Sequence, residues 1–202
     1  MKTFFRQSGV AIRVLVVFTV LLGVVYPLGV WAVSRLPGLH DRAEGSLIER
    51  DGVVVGSALI GINPVFDGLP RQDPWFHTRP SASAEDPLGQ GDPATSGGSN
   101  ASAFNPEQTE LVQQRKALIA EREGVAPAMV PADAVTASGS GVDPGISSAY
   151  AELQAARVAR NNGVSEAVVR ALITEHTSTQ AIGVPSVNVL ELNLAVHAAA
   201  SR

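Results

Sequence analysis

The sequence predicts an α+β protein: one N-terminal transmembrane helix followed by a single soluble domain with a small antiparallel sheet and about four helices. Three observations carry that prediction. The 21 residues Val14–Ser34 hold no charge, an Asp51-Gly52 pair divides two short apolar runs, and four later segments suit helices by their apolar spacing and capping residues. With 202 residues, 45% hydrophobic but only 5% aromatic, the chain suits one domain plus one unusually apolar segment.

As a helix rising about 1.5 Å per residue, Val14–Ser34 spans about 31 Å, one bilayer crossing. Tyr26 and Trp31 suit the polar interface near its end, and Pro27 is expected to kink the last third. Lys2, Arg6 and Arg13 precede it with no acidic residue among them. The positive-inside bias therefore assigns residues 1–13 to the cytoplasm, 14–34 to the membrane and 35–202 to an extracytoplasmic soluble domain. The competing reading is a cleavable signal peptide, since Ala32-Val33-Ser34 offers small residues for a signal peptidase. After residue 34 there are 12 Lys+Arg against 19 Asp+Glu, so the soluble part carries a net charge of −7.

Residues 35–44 read as a polar connector. Ser46–Arg50 and Val53–Gly61 then flank Asp51-Gly52, which takes the positive φ angles of a tight turn, so a β-hairpin is expected. Residues 61–79 mix Phe66, Trp75 and Phe76 with Pro64, Pro70 and Pro74, predicting extended, irregular chain with Trp75 and Phe76 in the core. From Ser81 to Ser102 the only large apolar residue is Leu88, which by composition means a flexible loop. Asn105-Pro106 opens a helix over Glu107 to Glu123, with Leu111, Val112, Leu118 and Ile119 on one side and Arg115, Lys116 and Glu121 toward solvent; Gly124 ends it. The stretch 130–147 is a loop closed by Asp143-Pro144 as the cap and first position of a second helix running to about Asn162. Ser165 and Glu166 start a third, with Val168, Val169, Leu172, Ile173 and His176 on its buried face. In the last segment, Val187–Ala200, a helical capping pattern at Asn188 and Glu191 competes with strand-like alternation of Leu190, Leu192, Leu194 and Val196; helix is favoured.

Composition excludes several functions. A net charge of −4 with two Lys argues against nucleic-acid binding, which needs clustered cations. The chain has no Cys, which removes disulfides, thiol catalysis and Cys-type metal sites. His40, His77, His176 and His197 lie far apart with no H-E-x-x-H, so no metal site is expected, and His176 reads as a core His bonded to backbone. No serine lies in G-x-S-x-G or S-x-x-K, so no catalytic residues are assigned. Ser96-Gly97-Gly98-Ser99-Asn100 and Ser138-Gly139-Ser140-Gly141 have the backbone freedom to cradle an anion, but a P-loop also needs a Lys and none is near. The sequon Asn100-Ala101-Ser102 is a short pattern of little weight alone.

Taken in order, the motifs resemble one family along nearly the whole chain. After the membrane helix come Gly56-Ser57-Ala58-Leu59-Ile60-Gly61, Phe76 with Arg79-Pro80-Ser81-Ala82, Ser96-Gly97-Gly98-Ser99-Asn100 and Asn105-Pro106. Val130-Pro131-Ala132-Asp133, Val135-Thr136-Ala137-Ser138-Gly139-Ser140-Gly141, Asp143-Pro144 and Ile146-Ser147 follow. Gln154 with Arg157-Val158-Ala159, His176-Thr177, and Val187-Asn188-Val189-Leu190 with Leu192-Asn193-Leu194 complete the set. This order is similar to that of KdpC, the C subunit of bacterial Kdp potassium-transporting P-type ATPases. The chain departs from it with Asn63 where the family usually has Gln, and Gly145 where it has His.

The resemblance implies a non-catalytic accessory subunit of a high-affinity potassium uptake pump in the bacterial inner membrane. Its implied partners are the potassium-conducting A subunit and the ATP-hydrolysing B subunit. The family is described as a catalytic chaperone that promotes ATP binding by the B subunit, which makes ATP an implied ligand. The charge bias opposes direct contact, because it places the bilayer between Ser138–Gly141 and cytosolic ATP. The resemblance also suggests that the two Gly-Ser stretches fold together. The binding candidates are Ser96, Gly97, Gly98, Ser99, Asn100, Asp133, Thr136, Ser138, Gly139, Ser140, Gly141, Asp143, Gln154 and Arg157, and internal hydrogen bonding is the favoured role for Asp133, Thr136, Ser138, Ser140, Asp143 and Arg157. A stand-alone, membrane-tethered binding domain is the alternative function.

Overall fold

The apolar N-terminal stretch forms helices α1 (Lys2–Val20) and α2 (Tyr26–Ser34), joined by a wide turn at Leu21–Val25. In this computed structural model, which describes residues 2–102, 104–178 and 184–201, the amide of Tyr26 donates five residues back to Leu21 O. Pro27 has no N–H to give Gly23, so the helix widens one turn earlier and continues. Thr3–Ser34 is the one stretch among the described residues long and apolar enough to cross a membrane. A short helix, α3 (His40–Ala43), follows. The chain divides into two compact units, Met1–Leu47 and Ile48–Arg202.

Next in the chain is the hairpin of β1 (Leu47–Arg50) and β2 (Val53–Ser57). Asp51 (φ 52°) and Gly52 (φ 77°) take the two positive φ angles expected of the turn. Four longer helices follow: α4 (Pro106–Glu123), α6 (Ser148–Asn162), α7 (Glu166–Glu175) and α8 (Val189–Ala200), with the single turn α5 (Ala132–Val135) between the first two. Asn105 Oδ1 caps α4 by accepting from the amides of Glu107 and Gln108 at 2.8 and 3.3 Å, and Gly124 ends it at φ +71°. A three-stranded antiparallel sheet of order β3 (Gly145–Ile146), β5 (Ser186–Asn188), β4 (Thr177–Ser178) pairs Gly145 with Asn188 and Thr177 with Val187. The core gathers Phe76, Ile119, Val135, Ile146, Tyr150, Val158, Val169, Ile173, Val187 and Leu192 from the helices, the sheet and the 73–78 segment.

Several expectations need correction. The second long helix starts at Ser148 with Ser147 as its cap, not at Asp143-Pro144. Pro144 O accepts from the Val189 amide at 2.9 Å and Gly145–Ile146 pairs with β5, which holds the chain extended until Ser147 Oγ caps Tyr150 N at 3.0 Å. Trp75 is half-buried rather than core; Phe76 is fully buried. On α4 the polarity is partly reversed: Arg115 is buried and Leu118 exposed. Arg115 donates to Pro87 O at 2.8 Å and Val135 O at 3.2 Å, and these carbonyls repay the desolvation of its head group. Val168 is likewise exposed while Val169 and Ile173 fill the α7 face. His176 bonds backbone as expected, with Nδ1 2.9 Å from Leu172 O, but it is half-buried rather than core. The three-stranded sheet escaped the sequence because each strand has two or three residues, too few to show a period.

Candidate functional site

The 81–102 stretch is not free of contacts, because its Gly-Ser segment docks against the second one. Gly97 N donates to Ser140 O at 2.8 Å and Ser96 Oγ to the same carbonyl at 3.0 Å. A Cβ on Gly141 (φ +72°) would lie 2.8 Å from Gly97 O, and one on Gly98 would lie 3.1 Å from Gly139 O. Side chains are excluded from this contact, which is why a residue without Cβ is needed at Gly141. Ser138 N donates to Pro80 O at 2.9 Å, Gly141 N to Ser138 Oγ at 3.0 Å, and Val142 N to Ser140 Oγ at 3.2 Å. Ser99 and Asn100 are exposed beside the junction, with Asn100 Nδ2 donating to Gly98 O at 3.2 Å.

These bonds decide what the junction can hold. The amides of Gly97, Ser138, Gly141 and Val142 are spent on protein oxygens, so they form no phosphate cradle. The polar recess that includes Ser99 is bordered by the carboxylates of Glu85 and Asp86, and its one guanidinium, Arg115, is turned onto backbone carbonyls. The recess thus presents two carboxylates, and its guanidinium is engaged by backbone.

Asp133 acts on helix α6. Its Oδ2 accepts from Ser147 N at 3.0 Å and its Oδ1 from Ser147 Oγ at 2.9 Å, which fixes the serine that caps the helix. Replacing Asp133 by Ala is expected to cost about 1–2 kcal/mol in a urea unfolding series, the worth of a cap and its support. Thr136 Oγ1 donates back to Ala132 O at 2.7 Å. Asp143 accepts from Gly145 N at 2.9 Å and faces Arg79 Nη1 at 3.5 Å. A side chain at Gly145 would press on Ser186, with Cβ to Oγ at 3.2 Å.

Gln154 and Arg157 belong to a buried polar network, exposed by 0% and 1%. Gln154 bonds both backbone groups of His77, accepting from N at 2.8 Å and donating to O at 3.3 Å. Asn193 does the same for Phe76 at 2.8 and 2.9 Å. Two helix amides thus replace the neighbouring strand that this extended segment lacks. Arg157 donates to Glu123 Oε2 at 2.9 Å, to Trp75 O at 2.9 Å and to Asp73 O. Glu123 Oε1 takes Arg122 Nε at 2.7 Å, and Arg122 Nη2 reaches Tyr150 Oη at 2.9 Å. His77 sets Nε2 2.7 Å from Asp73 Oδ2 and Nδ1 2.9 Å from Asn63 Oδ1.

Burial, then the nearby Arg122 charge, pushes the His77 imidazole down to about 4 against the pull of Asp73. Burial raises Asp73, but the hydrogen bond and charge of His77, the Trp75 amide and the Arg157 charge together leave the carboxyl below its usual range. Sequence reasoning selected Gln154 and Arg157 by resemblance alone and missed Asp73, His77, Arg122 and Glu123. The one available signal was several ionisable residues close to core positions on α4 and the 73–79 segment. Among the described residues no cluster of three or more His, Asp or Glu is arranged to hold a metal ion.

Comparison with known proteins agrees with the order of motifs. The family described as "KdpC: K+-transporting ATPase, c chain" matches residues 8–198. The chain is similar to the potassium-transporting ATPase KdpC subunit of Kineococcus radiotolerans, 47% identical over 96% of this chain and 95% of that one. The corresponding subunit of Streptomyces coelicolor is 44% identical over 95% and 92%. That of Mycobacterium tuberculosis is 43% identical over 95% and 97%.

Proposed function

The chain belongs to the KdpC family of potassium-transporting ATPase subunits, and from that membership we propose that it is a non-catalytic, single-pass accessory subunit of a potassium uptake pump. The folded domain faces the extracytoplasmic side of the bacterial inner membrane, where it caps and stabilises the potassium-conducting A subunit. The observation that carries this reading is how the candidate residues are used: the Gly-Ser amides, Asp133, Gln154 and Arg157 hold the domain together, as befits a rigid binding module. Lys2, Arg6 and Arg13 ahead of an uncharged span support the orientation. Any rise in the ATP affinity of the B subunit then reaches it as a coupling free energy through the membrane part of the complex, without a phosphate contact from this chain.

Orientation is tested by Ala101→Cys, an exposed position in a chain without other thiols. Intact cells treated with a membrane-impermeant maleimide are expected to label it fully. Labelling only after lysis would overturn the orientation and put the Gly-Ser junction on the side of the nucleotide. Capping is tested by purifying the pump from cells lacking this chain: the A and B subunits are expected to separate or to lose potassium affinity. An intact, fully active pump would reject the role.

A further inference from the structure

A slot of about 240 Å³ opens between the hairpin, the 62–64 segment, Trp75 and α8. Gly56 lets the hairpin close on α8, since a Cβ there would lie 2.6 Å from Leu190 Cδ2. Trp75 and the side chains of Ile62, Pro64, Leu190 and Leu194 make the slot predominantly apolar. Its two ionisable lining residues are Arg50 and His197, and among the described residues neither side chain has a hydrogen bond or ion pair within the fold. A guanidinium and an imidazole are both N–H donors suited to phosphate, and no carboxylate lines the slot, although the chain after residue 34 carries −7.

We infer that this slot binds an anionic phospholipid, its acyl chain against Trp75, Leu190 and Leu194 and its phosphate between Arg50 and His197. An apolar slot of this volume suits part of a hydrocarbon chain, and the Arg50 guanidinium and the His197 imidazole offer N–H donors to the lipid phosphate. The source of the ligand follows from the tether. Arg50 comes 16 residues after Ser34, the end of the membrane-spanning stretch, so the chain cannot stray more than about 55 Å along its contour from that end. Bilayer lipid is therefore present at high effective concentration, which a weak slot needs. This inference depends on the membrane anchor and not on which subunit the domain caps.

The test uses the full chain in phosphatidylcholine nanodiscs. The sequence has two Trp, Trp31 and Trp75, so Trp31→Phe leaves Trp75 as the sole indole. Bromine on a lipid acyl chain quenches it only by close approach, which requires the chain to enter the slot. Brominated phosphatidylglycerol is expected to reach half-quenching at a roughly tenfold lower fraction than brominated phosphatidylcholine. The pair Arg50→Gln and His197→Gln is expected to abolish that preference while thermal melting stays unchanged. Equal quenching by the two lipids overturns the inference, as does a preference that survives the double substitution. Absence of quenching by either lipid also overturns it and assigns the slot to a polypeptide bearing a carboxylate.

Discussion

Arg157→Ala is expected to lower stability by about 3–5 kcal/mol, the cost of leaving one member of a buried ion pair without its partner. The Glu123 side chain is wholly enclosed, and its two oxygens are divided between Arg122 at 2.7 Å and Arg157 at 2.9 Å. Removing Arg157 strands one of those oxygens and deprives Trp75 O and Asp73 O of a donor; Asn161 Nδ2 still reaches Asp73 O at 3.0 Å. Urea unfolding of the full chain in detergent should show the transition at lower denaturant with an unchanged slope. Arg157→Lys should recover only part of the loss, because an ammonium cannot reproduce the guanidinium fork that serves a carboxylate and two carbonyls together. Unchanged unfolding with loss of partner subunits on purification would make Arg157 a contact residue and contradict its burial.

The same contrast between local and long-range information explains what could be read from the sequence. The apolar N-terminal helix, the Asp51-Gly52 hairpin, the Asn105 cap and the Gly124 stop each depend on residues within a few positions of one another. All four stand where the pattern puts them. Pro144 reads locally as a helix opener, and it fails because its carbonyl is claimed by Val189, forty-five positions away. Arg115 reads as a solvent-facing charge until Pro87 and Val135 supply acceptors. The 81–102 stretch illustrates the opposite error. Its composition lacks apolar area, yet backbone bonds to Ser140 hold its Gly-Ser segment, and only the motif order of the family suggested that pairing. Of the candidate residues, those of the two Gly-Ser stretches pack against each other, as the resemblance suggested. The buried network was legible only through Gln154 and Arg157, because its other members come from segments with no shared periodicity.

Stability is expected to rise with pH between about 4 and 6.5, by up to roughly 3 kcal/mol, because of His77. The imidazole is 7% exposed and its folded-state pKa is about 4, against 6.5 for the free side chain. Between those values the unfolded chain binds a proton that the folded chain refuses, so the unfolded state takes up more protons and unfolding becomes easier as pH falls. Above 6.5 both states hold a neutral imidazole and this contribution is flat. Asp73 adds a second loss at lower pH: its depressed carboxyl favours the fold above its ordinary value of 3.8, and that support disappears as acid titrates the folded state. The groups that set the His77 shift are Asp73 on its own segment, Arg122 on α4 and Arg157 on α6. The measurement is urea unfolding at half-unit steps from pH 4 to 8, with His77→Gln for comparison. In the variant the slope between 4 and 6.5 should shrink, since a neutral amide keeps a hydrogen-bonding group beside Asp73 without titrating. If the parent chain instead gains stability on acidification through this range, His77 is held as a cation in the fold, and the pull of Asp73 exceeds the combined cost of burial and two guanidinium neighbours.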